Sequence, residues 1–101
     1  DLIYIDDMVE AWFRAATFES ALCQVLNVGT GVKTTVGMLL DKICSQVKDC
    51  NYHVEGSTPG DQLGIYADIS NLNKLLNMKE FTSVDEGLAR FIEWIQGEEK
   101  Q

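Results

Sequence analysis

The strongest pattern in the sequence is a series of apolar residues at helical spacing that begins at position 36. The apolar side chains recur at i, i+3, i+4, i+7 and i+11, at Val36, Leu39, Leu40, Ile43 and Val47. Because an α-helix turns once about every 3.6 residues, this spacing places all of them on one face. The pattern predicts an amphipathic helix, and Thr34 or Thr35 is expected to cap its N-terminus.

Three further helices are expected along the chain. The first covers about residues 8–18, and Asp6 or Asp7 is expected to cap it. The second covers about residues 69–76. The last begins at Ser83, which stands three residues before Glu86 in the S-x-x-E arrangement of a capping box.

Three short apolar or alternating runs are typical of β-strands, and a fourth, the last in the chain, is expected to be a short extended segment. They cover residues 2–5, 24–28, 52–55 and 64–67. The second run is mostly apolar, so it is expected to be buried on both faces. Together with the helices, these runs predict an α/β fold, α+β-like in isolation, with few short strands and about four helices. No linker or repeat divides the chain, so residues 1–101 are expected to form one unit.

Charge and composition exclude several classes of protein. The net charge of −8 repels a phosphate backbone, so nucleic-acid binding is not expected, and any phosphorylated ligand would need local donors. Cys23, Cys44 and Cys50 show no C-x-x-C spacing, and His53 is the one histidine. We therefore expect reduced, mostly packed cysteines, no metal site, and a cytoplasmic location. No apolar run is long enough to span a bilayer.

Two short motifs are open to both a structural and a chemical interpretation. The glycines of Gly29-Thr30-Gly31 allow a plain tight turn, or a turn whose N–H groups cradle a phosphate. Thr34 occupies the third glycine position of G-x-G-x-x-G, so the dinucleotide fingerprint is incomplete. Asp6 and Asp7 suit either a helix start or a pair of acid/base carboxylates.

The loop from residue 57 to residue 61 is the main candidate for ligand binding. It combines the rigid Pro59 with the permissive Gly60, and Asp61 follows directly. An aspartate so placed can accept two hydrogen bonds from a sugar diol, although an ordinary turn is equally compatible with these residues.

Aromatic residues at helical spacing occur near both ends of the chain. Such residues usually belong to a core. The alternative is that some are buried only against a partner, and would then form an exposed apolar patch on the isolated chain. The residues concerned are Trp12, Phe13, Phe18, Phe91 and Trp94.

Five stretches of the sequence occur together in an order and spacing that is fairly specific for one family. They are DLIYIDDMVEAW, VLNVGTG followed by a helix led by threonine, TPGDQLGIYADIS, LNKLLN and SVDEGLARFIEWI. This set resembles the extended short-chain dehydrogenase/reductase family, the NAD-dependent nucleotide-sugar epimerases and dehydratases. The resemblance covers nearly the whole chain, and it implies the C-terminal, substrate-binding portion of such an enzyme.

The resemblance implies that the chemistry lies outside this chain. In the family, an N-terminal Rossmann domain binds NAD, and a Tyr-x-x-x-Lys pair with a Ser or Thr transfers the proton and hydride. No tyrosine of the chain has a lysine four positions later. We therefore expect no catalytic residue and no bound NAD here. The expected partners are a nucleotide-diphospho-sugar and the chain's own N-terminal Rossmann domain, and the complete protein is expected to form a homodimer.

The resemblance also assigns substrate-binding roles. The family holds the nucleotide with an Arg-x-Gly-Asp type loop, in which Asp61 matches the aspartate near the ribose hydroxyls. Thr58 stands where the arginine is usual, so a charge-assisted contact would become one neutral hydroxyl. Ile65 matches a position that lines the sugar pocket, where a small apolar residue leaves room for a larger or deoxygenated sugar.

Three functions follow from these residues. The first is an epimerase similar to UDP-glucose 4-epimerase, or a 4,6-dehydratase, in which this portion orients the sugar while its C4 hydroxyl is oxidised. The second, favoured by Thr58, is a non-catalytic binding or interaction module on the same scaffold. The third is a small acidic domain with an unrelated partner.

Overall fold

Helices joined by long irregular segments make up the computed structural model, which describes residues 1–99. A single turn of 3-10 helix, Glu19–Ala21, follows the first helix. The α-helices are α1 (Ile5–Thr17), α2 (Val36–Gln46), α3 (Ser70–Leu76) and α4 (Val84–Glu99).

The predicted α/β fold is wrong, because residues 1–99 contain no β-strand. A strand is stabilised by hydrogen bonds to a neighbouring strand. No backbone hydrogen bond joins any two of the four strand-like runs in this part of the chain. Ile5, at the end of the first run, instead begins α1. A short apolar or alternating run therefore does not by itself produce a strand in this part of the chain.

Two of the predicted helix starts are confirmed in atomic detail. The hydroxyl oxygen of Thr35 accepts a hydrogen bond from the backbone N–H of Met38 at 3.1 Å, which caps α2. The hydroxyl oxygen of Ser83 accepts from the backbone N–H of Glu86 at 3.2 Å, which caps α4. Each bond satisfies an N–H group that the first turn of a helix leaves without a partner.

The start of α1 differs from the prediction. The helix begins at Ile5, after Tyr4, and no side chain caps it. Asp6 and Asp7 lie within its first turn, where negative charge favours the helix dipole. The carboxylate of Asp7 accepts from the backbone N–H and the hydroxyl of Thr82, at 2.8 and 3.3 Å. Asp7 therefore joins α1 to the segment before α4, and it does not cap the helix.

A small core lies between α1, the 3-10 turn and α3. Arg14 closes one end of this core, where its guanidinium donates to the carbonyls of Leu76 and Asn77, both at 3.0 Å. The other pair of helices, α2 and α4, is joined by the ion pair of Lys42 with Asp85 at 2.6 Å. The buried apolar residues are Ala11, Ala21, Leu72, Leu76 and Met78.

Much of the apolar surface of the chain is uncovered. The accessible surface is 8028 Å², whereas a folded monomer of this mass exposes about 5700 Å². The radius of gyration is 16.7 Å, against about 13 Å for a compact chain of this length. The five helical aromatics face solvent, so they do not form a core of this chain. The most continuous exposed stripe, which we call the α1 apolar face, consists of Ile5, Val9, Trp12 and Phe13.

None of the helices within residues 1–99 combines the length and apolar character that crossing a bilayer demands.

Candidate functional site

The candidate ligand loop is built on a tight turn. The backbone N–H of Asp61 donates to the carbonyl of Thr58 at 3.2 Å. Gly60 has a φ of +88°, and Pro59 precedes it, which is the residue order that a type II turn requires. The turn thereby brings Thr58 and Asp61, which lie three residues apart, to the same end of the loop.

The polar groups of this turn are available to a ligand. Neither the carboxylate of Asp61 nor the hydroxyl of Thr58 bonds to another group within residues 1–99, and both residues are exposed. Ile65 follows four residues later and is 78% exposed. The three residues do not line any of the three main cavities of the described chain. The loop therefore presents them on an open surface.

Asp1 fixes the far end of this loop. One carboxylate oxygen of Asp1 accepts from the backbone N–H of Gly31 at 2.9 Å and from that of Ala67 at 3.1 Å. The other accepts from the backbone N–H and the hydroxyl of Thr30, at 2.9 and 2.8 Å. The backbone nitrogen of Asp1 donates to the carbonyl of Ile65 at 2.8 Å. We call this set of bonds the Asp1 clasp.

The clasp explains the two glycines on either side of Thr30. A β-carbon on Gly29 would lie 2.7 Å from a carboxylate oxygen of Asp1 and 2.8 Å from the β-carbon of Ala67. Gly31 has a φ of +74°, which glycine adopts at little cost. Because the N–H groups of Thr30 and Gly31 already donate to a carboxylate, the turn holds an internal anion in place of a phosphate.

Tyr52 fixes the near end of the loop. Its hydroxyl donates to the carboxylate of Asp41, on α2, at 2.7 Å. The segment after α2 is thereby held against that helix. The loop from residue 53 to residue 64 is consequently tied at both ends and open between them.

The Tyr52 titration tests this near-end contact. The hydrogen bond to Asp41, assisted by desolvation, raises the pKa of Tyr52 above its ordinary value of 10.0. A raised pKa favours the neutral phenol in the folded state, so its stabilising contribution is present below pH 10 and is lost as the pH rises through the folded pKa. In Asp41→Ala, the pKa of Tyr52 is expected to fall back toward 10.0. The absorbance of tyrosinate measures the pKa of Tyr52, and subtracting the titration of Tyr52→Phe removes the signals of the other tyrosines. An unchanged pKa in Asp41→Ala would show that the hydrogen bond is absent in solution.

The remaining sequence candidates are separate from this loop. His53 lies 3.3 Å from Glu55, and both side chains are largely exposed. Within residues 1–99 no three His, Cys, Asp or Glu side chains are grouped closely enough to hold a metal ion.

The cysteines are free thiols of two kinds. Cys23 is exposed, which differs from the prediction of packing, whereas Cys44 and Cys50 are half-buried. A hydrogen bond with Cys50 raises the pKa of Cys44 to about 11. Cys44 therefore stays protonated near neutral pH, which does not suit a nucleophile.

Sequence reasoning missed a basic cleft at the N-terminal ends of α2 and α4. Its volume is about 490 Å³, and Lys33, Lys42 and Lys79 all line it. These lysines are scattered along the sequence, so no charged run marks them. One signal in the sequence could have drawn attention to them. The chain holds only eight lysines and arginines against sixteen acidic residues, so each lysine is a scarce positive charge.

Comparisons with known proteins give little that assigns a function. No family model matches the chain, and no solved structure gives a significant match. The chain is similar to an uncharacterized protein of Methanocaldococcus jannaschii, with 30% identity over 95 residues that cover 93% of this chain. The chain spans 29% of the length of that relative.

Proposed function

We propose that this chain is the C-terminal, substrate-orienting portion of an NAD-dependent nucleotide-sugar epimerase or 4,6-dehydratase of the cytoplasm. The observation that carries the proposal is the Thr58–Asp61 turn. It presents an exposed carboxylate without a partner in the described chain, at the position where the family motif places its aspartate. The ordered set of five resembling stretches supports the same conclusion.

The loop residues would act by positioning the substrate. The two oxygens of the Asp61 carboxylate suit the two hydroxyls of a ribose diol, since each oxygen accepts one of the hydrogen bonds. The hydroxyl of Thr58 would contribute a neutral hydrogen bond, and Ile65 an apolar wall beside the sugar. Fixing the sugar in a reactive orientation lowers the entropic part of the barrier without a bond-making residue on this chain.

The glycine turn of this chain has no free N–H group at Thr30 or Gly31 to offer the phosphates of NAD. The Gly29–Gly31 turn is the nearest approach to a phosphate-binding glycine turn, and its N–H groups donate to Asp1. We therefore assign NAD to a separate nucleotide-binding domain and derive no step through it here. That domain would cover the α1 apolar face, whose Trp12 and Phe13 are 66% and 62% exposed, and would close the loop into a pocket.

Isothermal calorimetry of the full-length protein with UDP-, dTDP- and GDP-sugars tests the proposal. The Asp61→Asn variant is expected to bind its nucleotide-sugar about tenfold more weakly, because it loses a charge-assisted acceptor. Glu55→Gln is the matched control, since Glu55 is an exposed carboxylate in the same loop. Removing that negative charge should leave the affinity for an anionic ligand unchanged or slightly higher.

Two results would contradict the proposal. One is the absence of binding to every nucleotide-sugar, which favours the alternative of a non-catalytic interaction module. The neutral Thr58, in place of the usual arginine, is the observation that supports that alternative. The other is an equal loss of affinity in Asp61→Asn and Glu55→Gln, which would reduce the role of Asp61 to general charge.

A further inference from the structure

The basic cleft concentrates positive charge on a strongly acidic chain. The chain carries a net charge of −8 and only eight lysines and arginines, of which three line this one cleft. Like charges repel one another, so placing them together costs free energy unless an anion offsets it. Grouping three of the eight basic residues in one cleft is therefore unexpected if these charges only keep the protein soluble.

Two of the three lysines have no acidic partner in the described chain. Lys42 pairs with Asp85 at 2.6 Å, so its charge is balanced. Lys33 and Lys79 form no salt bridge with any residue from 1 to 99. The cleft thus retains two positive charges that form no ion pair within residues 1–99: Lys33 precedes α2 in the chain, and Lys79 precedes α4.

Neutral donors complement these charges. Thr34 and Ser83 line the cleft at the two helix starts. The hydroxyl oxygen of Ser83 accepts from Glu86, which leaves its proton free to donate to a ligand. Both α2 and α4 begin at this cleft, and the first N–H groups of a helix attract anions. Cationic and neutral donors therefore line one cleft, together with Asp85, which pairs with Lys42.

We propose that this cleft binds a phosphate or diphosphate group of a small molecule. The volume of about 490 Å³ exceeds what a single phosphate fills, so a diphosphate or a phosphorylated metabolite suits it better. The site is distinct from the loop of Asp61, which does not line the cleft. The proposal does not depend on the function proposed above, because it concerns the anion and not a nucleotide or a sugar.

Calorimetric titration of the full-length protein with inorganic pyrophosphate, and separately with inorganic phosphate, tests the proposal. We expect saturable binding of pyrophosphate at low ionic strength, weakened by added salt because the cleft is open to solvent. The double variant Lys33→Gln/Lys79→Gln is expected to bind it at least about tenfold more weakly. Both side chains are exposed and unpaired within residues 1–99, so folding should be retained, as circular dichroism would show.

A matched variant decides where the anion binds. Lys74→Gln removes an exposed lysine of α3 outside the cleft, and it should bind pyrophosphate as the unaltered protein does. Absence of pyrophosphate binding would overturn the proposal, as would an affinity that the double variant leaves unchanged. An equal loss in Lys74→Gln would also overturn it, by reducing the effect to net charge.

Discussion

Replacing Asp1 by alanine is expected to lower the free energy of unfolding by about 3 kcal/mol. Its carboxylate accepts four hydrogen bonds, three of them from the backbone N–H groups of Thr30, Gly31 and Ala67. A hydrogen bond to a charged group contributes about 1.5–3 kcal/mol net. Partial exposure lets water replace some of these bonds, so the four contributions do not add fully.

Asp6 supplies the control for this prediction. It is an exposed carboxylate five positions away without a hydrogen bond in residues 1–99, so Asp6→Ala should cost less than about 1 kcal/mol, through the helix dipole alone. Thermal and chemical unfolding of the full-length protein, followed by circular dichroism, measures both variants. If Asp1→Ala is no more destabilised than Asp6→Ala, the clasp does not organise the fold.

Replacing Leu72 by alanine is expected to cost about 3 kcal/mol, from the lost burial and the cavity that remains. Leu72 and Leu76 are both 0% exposed, and they lie at the centre of a core of only five buried residues. A core this small has few neighbours that can close the space. The loss is a large part of the stability of a typical domain.

Leu63 gives a matched comparison with the same chemical change. It is fully exposed, at 109% of the reference area, so Leu63→Ala should change the stability by less than about 0.5 kcal/mol. Urea denaturation of the two variants compares them directly. Similar midpoints would mean that the packing of α1 against α3 does not hold the chain together.

The helices were predictable because their signals are local. The apolar period of α2 and the caps at Thr35 and Ser83 involve residues within about three turns of each other. Such signals keep their meaning whatever the rest of the chain does. The start of α1 was misplaced because the strand-like residues before it do not continue as a strand, and Ile5 joins the helix.

The strands were wrongly predicted because a short apolar or alternating run specifies neither a neighbouring strand nor its own burial. Residues 24–28 read as a buried strand, yet Val25 is 90% exposed and the run has no partner strand in the described chain. Strand formation depends on a neighbour, and that information is not local. The same reasoning explains the exposed aromatics of α1 and α4, whose spacing indicates an apolar face without saying what covers it.

The candidate site was predictable only in part. Pro59 and Gly60 indicate a turn from their own conformational limits, and the structure forms that turn. The Asp1 clasp was not predictable, because it joins residues 29 to 66 positions apart. The basic cleft was missed for the same reason, since its lysines meet only after α2 and α4 are placed.

Hydrogen–deuterium exchange of the full-length protein, with and without a nucleotide-sugar, tests the central claim most directly. The loop from residue 53 to residue 64 is tied at its ends and exposed between them. Its amides should exchange rapidly without a ligand, because they have almost no hydrogen-bond partners within the described chain. We predict that UDP-glucose, dTDP-glucose or GDP-mannose slows exchange in peptides that cover residues 57–66. Protection elsewhere in the protein, with these peptides unchanged, would contradict the assignment of this loop to the sugar nucleotide.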